Sequence, residues 1–315
     1  MRMTGARLSV WVGFLVLAAV PLFSRTLDQP FYIDLFTRIM VFGIAAISLD
    51  LILGYGGMVS FGHAAYLGIG SYAVGILSFF QVYNGYLQFA AAIVVSAVAA
   101  LFIGAISLRT SGASFVMITL AFAQMLYFLA ISLNIFGGDD GMSVTRHSDF
   151  GSWIDFDNPT VLYYAVFATL ALFFWLAGRL VESRFGMVLR GSKSNARRMT
   201  AIGFPVFRYR LAAFVISAAM CGVAGALLAN QLLFVSPAIM QWNRSGELII
   251  MVILGGIGSL YGALLGSFVY VMLEHELSGL TAHWLIILGP ILILVVLFAK
   301  NGVFGLFSRM AKARG

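Results

Sequence analysis

Runs of about 20 apolar residues, nearly free of charge, recur along the whole length of this chain. Each is long enough to cross the roughly 30 Å hydrocarbon core of a bilayer as a helix. The runs are continuous rather than alternating, which separates them from the short strands of a membrane barrel. Only 10% of the 315 residues are charged, against about a quarter in soluble domains. The chain therefore reads as an all-α, polytopic transmembrane protein, a single membrane domain over residues 1–315.

The runs are Leu8–Phe23, Leu35–Leu53, Phe61–Phe80, Leu87–Leu108, Ala113–Phe136 and Val161–Val181, then Leu211–Phe234, Ser245–Leu254, Leu260–Leu273 and Trp284–Ala299. That predicts about ten membrane segments, the short ones half-spans or re-entrant. Leu8–Phe23 is read as an uncleaved span, because no A-x-A-like cleavage site follows it. Charge supplies the topology. The loop at about 182–210 holds seven Arg and Lys residues against Glu182 alone, and Arg2, Arg7 and the basic tail from Lys300 flank the first and last runs. The positive-inside rule places all three on the cytoplasmic side. Six spans before the basic loop and four after it satisfy that placement. The segment at about 137–158, with five aspartates against Arg146, then falls outside. Basic residues confined to such loops explain the net charge of +7 without nucleic acid.

Two glycine-rich stretches stand out within the apolar runs. GYGGMVSFGHAAYLGIGSYAVGIL, Gly54 to Leu77, contains seven glycines and a histidine. Gly54, Gly56 and Gly57 are too closely spaced for a good helix. Irregular backbone at membrane depth persists only where protein buries it or it lines a wet cavity. Residues 54–62 are therefore expected to form a break leading into a helix, with Ser60 and His63 facing protein or a pathway rather than lipid. For His63 a packing role and a pathway role stay equally open. The second stretch, GGIGSLYGALLGSFVY from Gly255, faintly echoes the first. Its Gly258, Gly262 and Gly266 are expected on one helix face, allowing close packing within the chain or against a second subunit.

The buried charges call for partners. Asp34 and Arg38, four apart, are expected to pair. Glu247 is read as capping a helix start, with a place on a permeation path as the alternative. Glu274-His275-Glu276 is read as an interfacial span end. Asp50 lies one turn before the first break, with no partner legible. Catalytic and metal patterns are missing: there is no G-x-x-x-x-G-K-[ST], no H-E-x-x-H and no cysteine cluster beyond Cys221. A short helix from Ser194 to Ile202, stopped by Gly203 with Pro205 beyond, either lies on anionic lipid or docks into a partner protein.

Three stretches together, residues 54–77, ESRFGMVLRGSKSNARRMTAIGF (182–204) and SPAIMQWNRSGELIIMVILGGIGSLYGALLG (236–266), resemble the membrane-spanning permease subunits of ABC importers for branched-chain amino acids, of the LivM type. GGDDGMS (137–143) and LTAHWLIILGP (280–290) extend the similarity over about residues 35–305. The resemblance implies an ATP-driven importer of a bacterial inner membrane, without enzymatic residues in this chain. It also implies a second related permease subunit, two cytoplasmic ATPase subunits that hold ATP and magnesium, and a periplasmic solute-binding protein. The coupling residues it implies are Glu182, Arg184, Phe185, Gly186, Arg190, Ala201 and Gly203, which tips the basic helix toward docking. Ser60, His63, Tyr66, Glu247 and Ser259 are the path candidates. Gly56, Gly57, Gly62, Gly258, Gly262 and Gly266 are the packing or interface candidates. Asp50 stands where many members carry asparagine. Urea, short amides and small organic or aromatic acids are alternative solutes within the same family type. A self-sufficient ion-coupled transporter using Asp50, Glu247 and Glu274–Glu276 is the alternative outside it.

Overall fold

The computed structural model describes residues 4–26, 31–151, 155–281, 283, 286–290 and 293. Helices dominate, as uninterrupted apolar sequence dictates. They are α1 (Thr4–Thr26), α2 (Phe31–Asp50), α3 (His63–Phe79), α4 (Gly85–Ser107), α5 (Ala113–Ser132), α6 (Pro159–Glu182), α7 (Arg184–Ala201), α8 (Val206–Leu232), α9 (Trp242–Gly255) and α10 (Leu260–Leu280). Nine of the ten expected membrane segments fall on helices. The tenth, Trp284–Ala299, and the basic tail lie mostly or wholly outside the described residues.

Among the described residues, length and apolarity suffice for a crossing in five cases: α2 with its continuation to Tyr55, α4, α5, α6 and α8. α9 and α10, bent by 116° at their junction, add a sixth if they form one span. Ten full crossings are thus not established. α3, with 17 residues, is short because the glycine-rich break consumes the start of its apolar run.

α2 and α8 form the centre of the bundle. α2 is almost wholly enclosed by protein, and α8 largely so, whereas in α4, α5 and α6 only about a quarter of the spanning residues are buried. α8 packs chiefly against α3 and α4, and α2 against α6, α8 and α10. The α3–α8 crossing is close because glycines face backbone: a Cβ on Gly70 would strike the Gly222 carbonyl, and one on Gly225 the Leu67 carbonyl. Without a hydrophobic drive between helices in lipid, such small-residue contact is the main route to tight packing.

The acidic segment after α5 is tied to the end of α8. Two-residue strands β1 (Met142–Ser143) and β2 (Phe234–Val235) pair antiparallel, and the Ser148 amide donates to Asn230 Oδ1 at 2.8 Å. The basic helix α7 follows the other end of α6. That 24-residue helix is about 36 Å long at 1.5 Å per residue. The acidic and basic segments therefore sit at opposite ends of the bundle.

Candidate functional site

The first break begins where α2 passes into a π-helical turn, Leu51–Tyr55. Its backbone pairing is displaced: the Met58 amide donates to the Ile52 carbonyl at 2.9 Å and the Gly57 amide to the Leu53 carbonyl at 3.1 Å. Gly57 turns the chain at φ +69°, a conformation that only glycine adopts cheaply. α3 then starts at His63. One of its buried first-turn amides is met by a side chain from elsewhere, Ala64 N–H donating to Ser245 Oγ of α9 at 3.0 Å. Gly62 fits there because a Cβ would lie 2.8 Å from the Thr119 carbonyl of α5.

The second break separates α9 from α10, with Gly256 at φ +116° and Gly258 at φ +81°. Gly258 therefore precedes α10 rather than extending its face, and the expected three-glycine helix stripe reduces to Gly262 and Gly266. Both pack inside the chain: a Cβ on Gly262 would meet the Gly255 carbonyl at 2.7 Å, and one on Gly266 would strike the Met251 carbonyl. The sequence missed the difference because a four-residue spacing is legible while a positive φ is not.

The two breaks abut. Asp50 Oδ1 accepts from the Gly258 amide at 2.8 Å. A Cβ on Gly54 would lie 2.5 Å from Gly258 N and would strike Asp50 Oδ1. Lys193 of α7 completes the junction: its ammonium donates to the Gly54 carbonyl at 2.6 Å. Its stem crosses Gly57, where a Cβ would come within 2.8 Å of Lys193 Cγ. Sequence reasoning singled out the glycines and Asp50 but not Lys193, whose partners lie 139 residues away.

α7 is two helical pieces joined at Asn195 (φ −160°, ψ 96°). Ser183 caps the first piece through the Gly186 amide, and Asn195 Oδ1 caps the second by accepting from the Arg198 amide at 2.9 Å. The expected Ser194–Ile202 helix is thus the second piece only. Its stop is the expected one: Gly203 at φ +95°, with the Gly203 amide on the Thr200 carbonyl and the Phe204 amide on the Met199 carbonyl, the Schellman pattern. Val188, Leu189 and Ser192 face the bundle; Glu182, Arg184, Arg190, Ala201 and Gly203 are exposed. Phe185 stacks on Tyr209 at 5.6 Å between ring centres. Gly186 is buried, and a Cβ there would strike the Leu180 and Val181 carbonyls. Met187, Ile202, Phe204 and Phe207 give this basic segment an exposed apolar rim.

Ser60, His63 and Tyr66 are fully enclosed by this one chain. His63 Nε2 lies 2.8 Å from Ser48 Oγ, and Ser217 Oγ donates to the Ser48 carbonyl, so a polar thread joins α2, α3 and α8. Glu247 and Ser259 are only partly buried. Glu247 does not cap α9. It sits in the second turn and binds Arg244 at 2.7 Å. Arg38 pairs not with Asp34 but with Glu274, at 2.9 and 3.0 Å to its two oxygens. Helix α10 places Glu274 opposite Arg38 and runs on to Leu280, four residues beyond Glu276. The two pairs are close enough to act on each other.

A family-level match, to the permease component of branched-chain amino acid transport systems, covers residues 31–297. The chain belongs to this family. It is 25% identical over 294 residues to the high-affinity branched-chain amino acid transport system permease protein LivM of Salmonella typhimurium, spanning 86% of this chain and 69% of that protein. It is 27% identical over 285 residues to LivH of Escherichia coli, spanning 84% and 91%. To the probable LivM of Methanocaldococcus jannaschii it is 25% identical over 281 residues, spanning 77% and 81%. No solved structure matches it. The LivM-type resemblance in the sequence is therefore upheld: this is a multi-pass permease of the branched-chain amino acid ABC transporter family.

Proposed function

We propose that this chain is the permease subunit of an ATP-driven importer that carries branched-chain amino acids across a bacterial inner membrane. A second, related permease chain completes the path, two cytoplasmic ATPase subunits supply ATP and magnesium chemistry, and a periplasmic binding protein delivers the solute. Family membership over residues 31–297 is the observation that carries this reading. Similarity to proteins named both LivM and LivH supports a path built from two related chains.

The geometry agrees with the division of labour. The exposed Ile202, Phe204 and Phe207 gather about the Gly203 turn rather than forming one stripe along α7, which suits a protein partner better than lipid headgroups. Glu182, Arg184, Phe185, Gly186, Arg190, Ala201 and Gly203 belong to this docking element. Glu247 and Ser259 serve as path residues, with Ser60, His63 and Tyr66 as polar groups behind them. Arg38, Arg244 and Glu274 lie twelve, eleven and fifteen residues from the breaks along their helices, roughly 16–22 Å at 1.5 Å per residue. Ionisable residues inside a span ordinarily face a partner or water rather than lipid. Each acid in this group already holds an arginine, which leaves a self-sufficient ion-coupled carrier without a free coupling carboxylate there.

The test is mild-detergent purification of the tagged chain from its native membrane, with mass spectrometry of what accompanies it. A second permease with P-loop ATPases is the expected result, and screening the co-encoded binding protein then names the solute among branched-chain amino acids, urea, amides and small organic acids. A chain that purifies alone and moves solute in liposomes under an ion gradient overturns the reading.

A further inference from the structure

We infer that Lys193 is the positioning residue through which α7 controls the two helix breaks; this rests on the docking role proposed for α7. Lys193 stands two residues before the Asn195 kink, at the end of the first piece of α7. That piece is anchored from its other side by Arg210 of α8, whose guanidinium donates to the Ser192 carbonyl at 2.8 Å and to Ser192 Oγ at 3.2 Å. Movement of the exposed second piece is therefore referred to a pivot at residues 192–195.

From that pivot one side chain reaches the membrane breaks. The Lys193 stem lies across Gly57 and its ammonium takes the Gly54 carbonyl. Gly54 in turn is in backbone contact with Gly258, and Gly258 is held by Asp50. A displacement of Lys193 thus acts on both breaks at once, because Gly54 cannot move toward Gly258 without a clash.

The junction also offers the ammonium a second acceptor. Asp50 lies one helical turn before Gly54, its carboxylate beside Gly54. Its Oδ2 is buried and has no hydrogen-bond partner, a costly condition for a polar atom. Both Lys193 and Asp50 border Gly54, which puts the ammonium within range of the Asp50 charge. An ammonium that moves from the Gly54 carbonyl to Asp50 Oδ2 would release the π-helical turn while meeting the orphaned oxygen. The junction would thereby have a second bonded arrangement beside the observed one, as a switching element needs.

The experiment compares wild type, Lys193→Met and Lys193→Arg in the complete complex with its ATPase subunits and binding protein, reconstituted in liposomes. Met keeps the stem on Gly57 and removes the ammonium. The expected result for Lys193→Met is full retention of the ATPase subunits, continued ATP hydrolysis and at least a tenfold fall in solute moved per ATP, with Lys193→Arg restoring most of it. Unchanged transport per ATP in Lys193→Met overturns the inference. So does loss of the ATPase subunits, which would make Lys193 a docking residue. Absence of ATP-driven uptake in the wild-type complex would instead overturn the reading beneath it. If Lys193→Met fails to accumulate, hydrogen exchange on the wild-type complex decides: amides of residues 56–60 and 256–259 should change protection together on ATP binding. A change confined to α7 overturns the inference.

Discussion

Asp50, at the end of α2, accepts a 2.8 Å hydrogen bond from the backbone amide of Gly258, a residue 208 positions later. One buried carboxylate thereby fixes the register of two broken helices. Asn offers the same acceptor. Asp50→Asn should keep the junction, with a stability change within about 1 kcal/mol, whereas Asp50→Leu leaves a buried amide unmet and should cost about 1–3 kcal/mol. Thermal unfolding of the detergent-purified protein, compared among the three, checks this.

The α3–α8 crossing predicts a second contrast. Gly70→Val and Gly225→Val each drive a side chain into a facing carbonyl and should destabilise by about 1–3 kcal/mol or more. Gly178→Ala on α6 has nothing within 4 Å. That helical position should gain up to about 1 kcal/mol from removing glycine. Accumulation in membranes and melting temperature should separate the pair from the control.

The Arg38–Glu274 pair is partly buried, at 36% and 16% side-chain exposure. Removing either partner should therefore cost between about 1 kcal/mol, the ceiling for exposed pairs, and about 3 kcal/mol, where buried ones begin. Arg38→Met with Glu274→Leu should cost less than the sum of the single changes. A double-mutant cycle on unfolding free energies measures the difference. Additive losses would show that the two side chains do not interact.

Gly186 and Gly203 share a place in the coupling segment but differ in structure. Gly186→Glu drives a side chain into the turn that joins α6 to α7, so accumulation and transport should both fall. Gly203 is exposed with open space around it and needs only its positive φ, worth about 1–2 kcal/mol. Gly203→Glu should accumulate near normally yet lose ATP-coupled uptake. Membrane levels and uptake measured side by side make the comparison. Normal coupled uptake in Gly203→Glu would remove it from the docking surface.

The elements and the breaks were readable because their causes are local. Apolar runs made nine of the segments plain, clustered glycines marked residues 54–62, and Gly203 with Pro205 marked the end of α7. What escaped the sequence was long-range or conformational. Arg38 chose Glu274, 236 residues away, over Asp34, because α10 packs against α2 and brings a carboxylate to its face. Gly258 lies before its helix at φ +81°, and positive φ leaves no periodic trace in a sequence. Lys193 looked like one more basic loop residue until the fold laid it over Gly57. Ser60 and His63 were expected to face protein or a pathway, but that they and Tyr66 are enclosed depends on how α2, α8 and α9 close around them.

The measurement that tests the central claim most directly is uptake of radiolabelled leucine into liposomes. They would hold this chain with its co-purifying permease and ATPase subunits, with the binding protein added outside. The account predicts accumulation that requires internal ATP and the binding protein and that persists when proton and sodium gradients are collapsed. Uptake that ignores ATP and disappears with an ion gradient would contradict it.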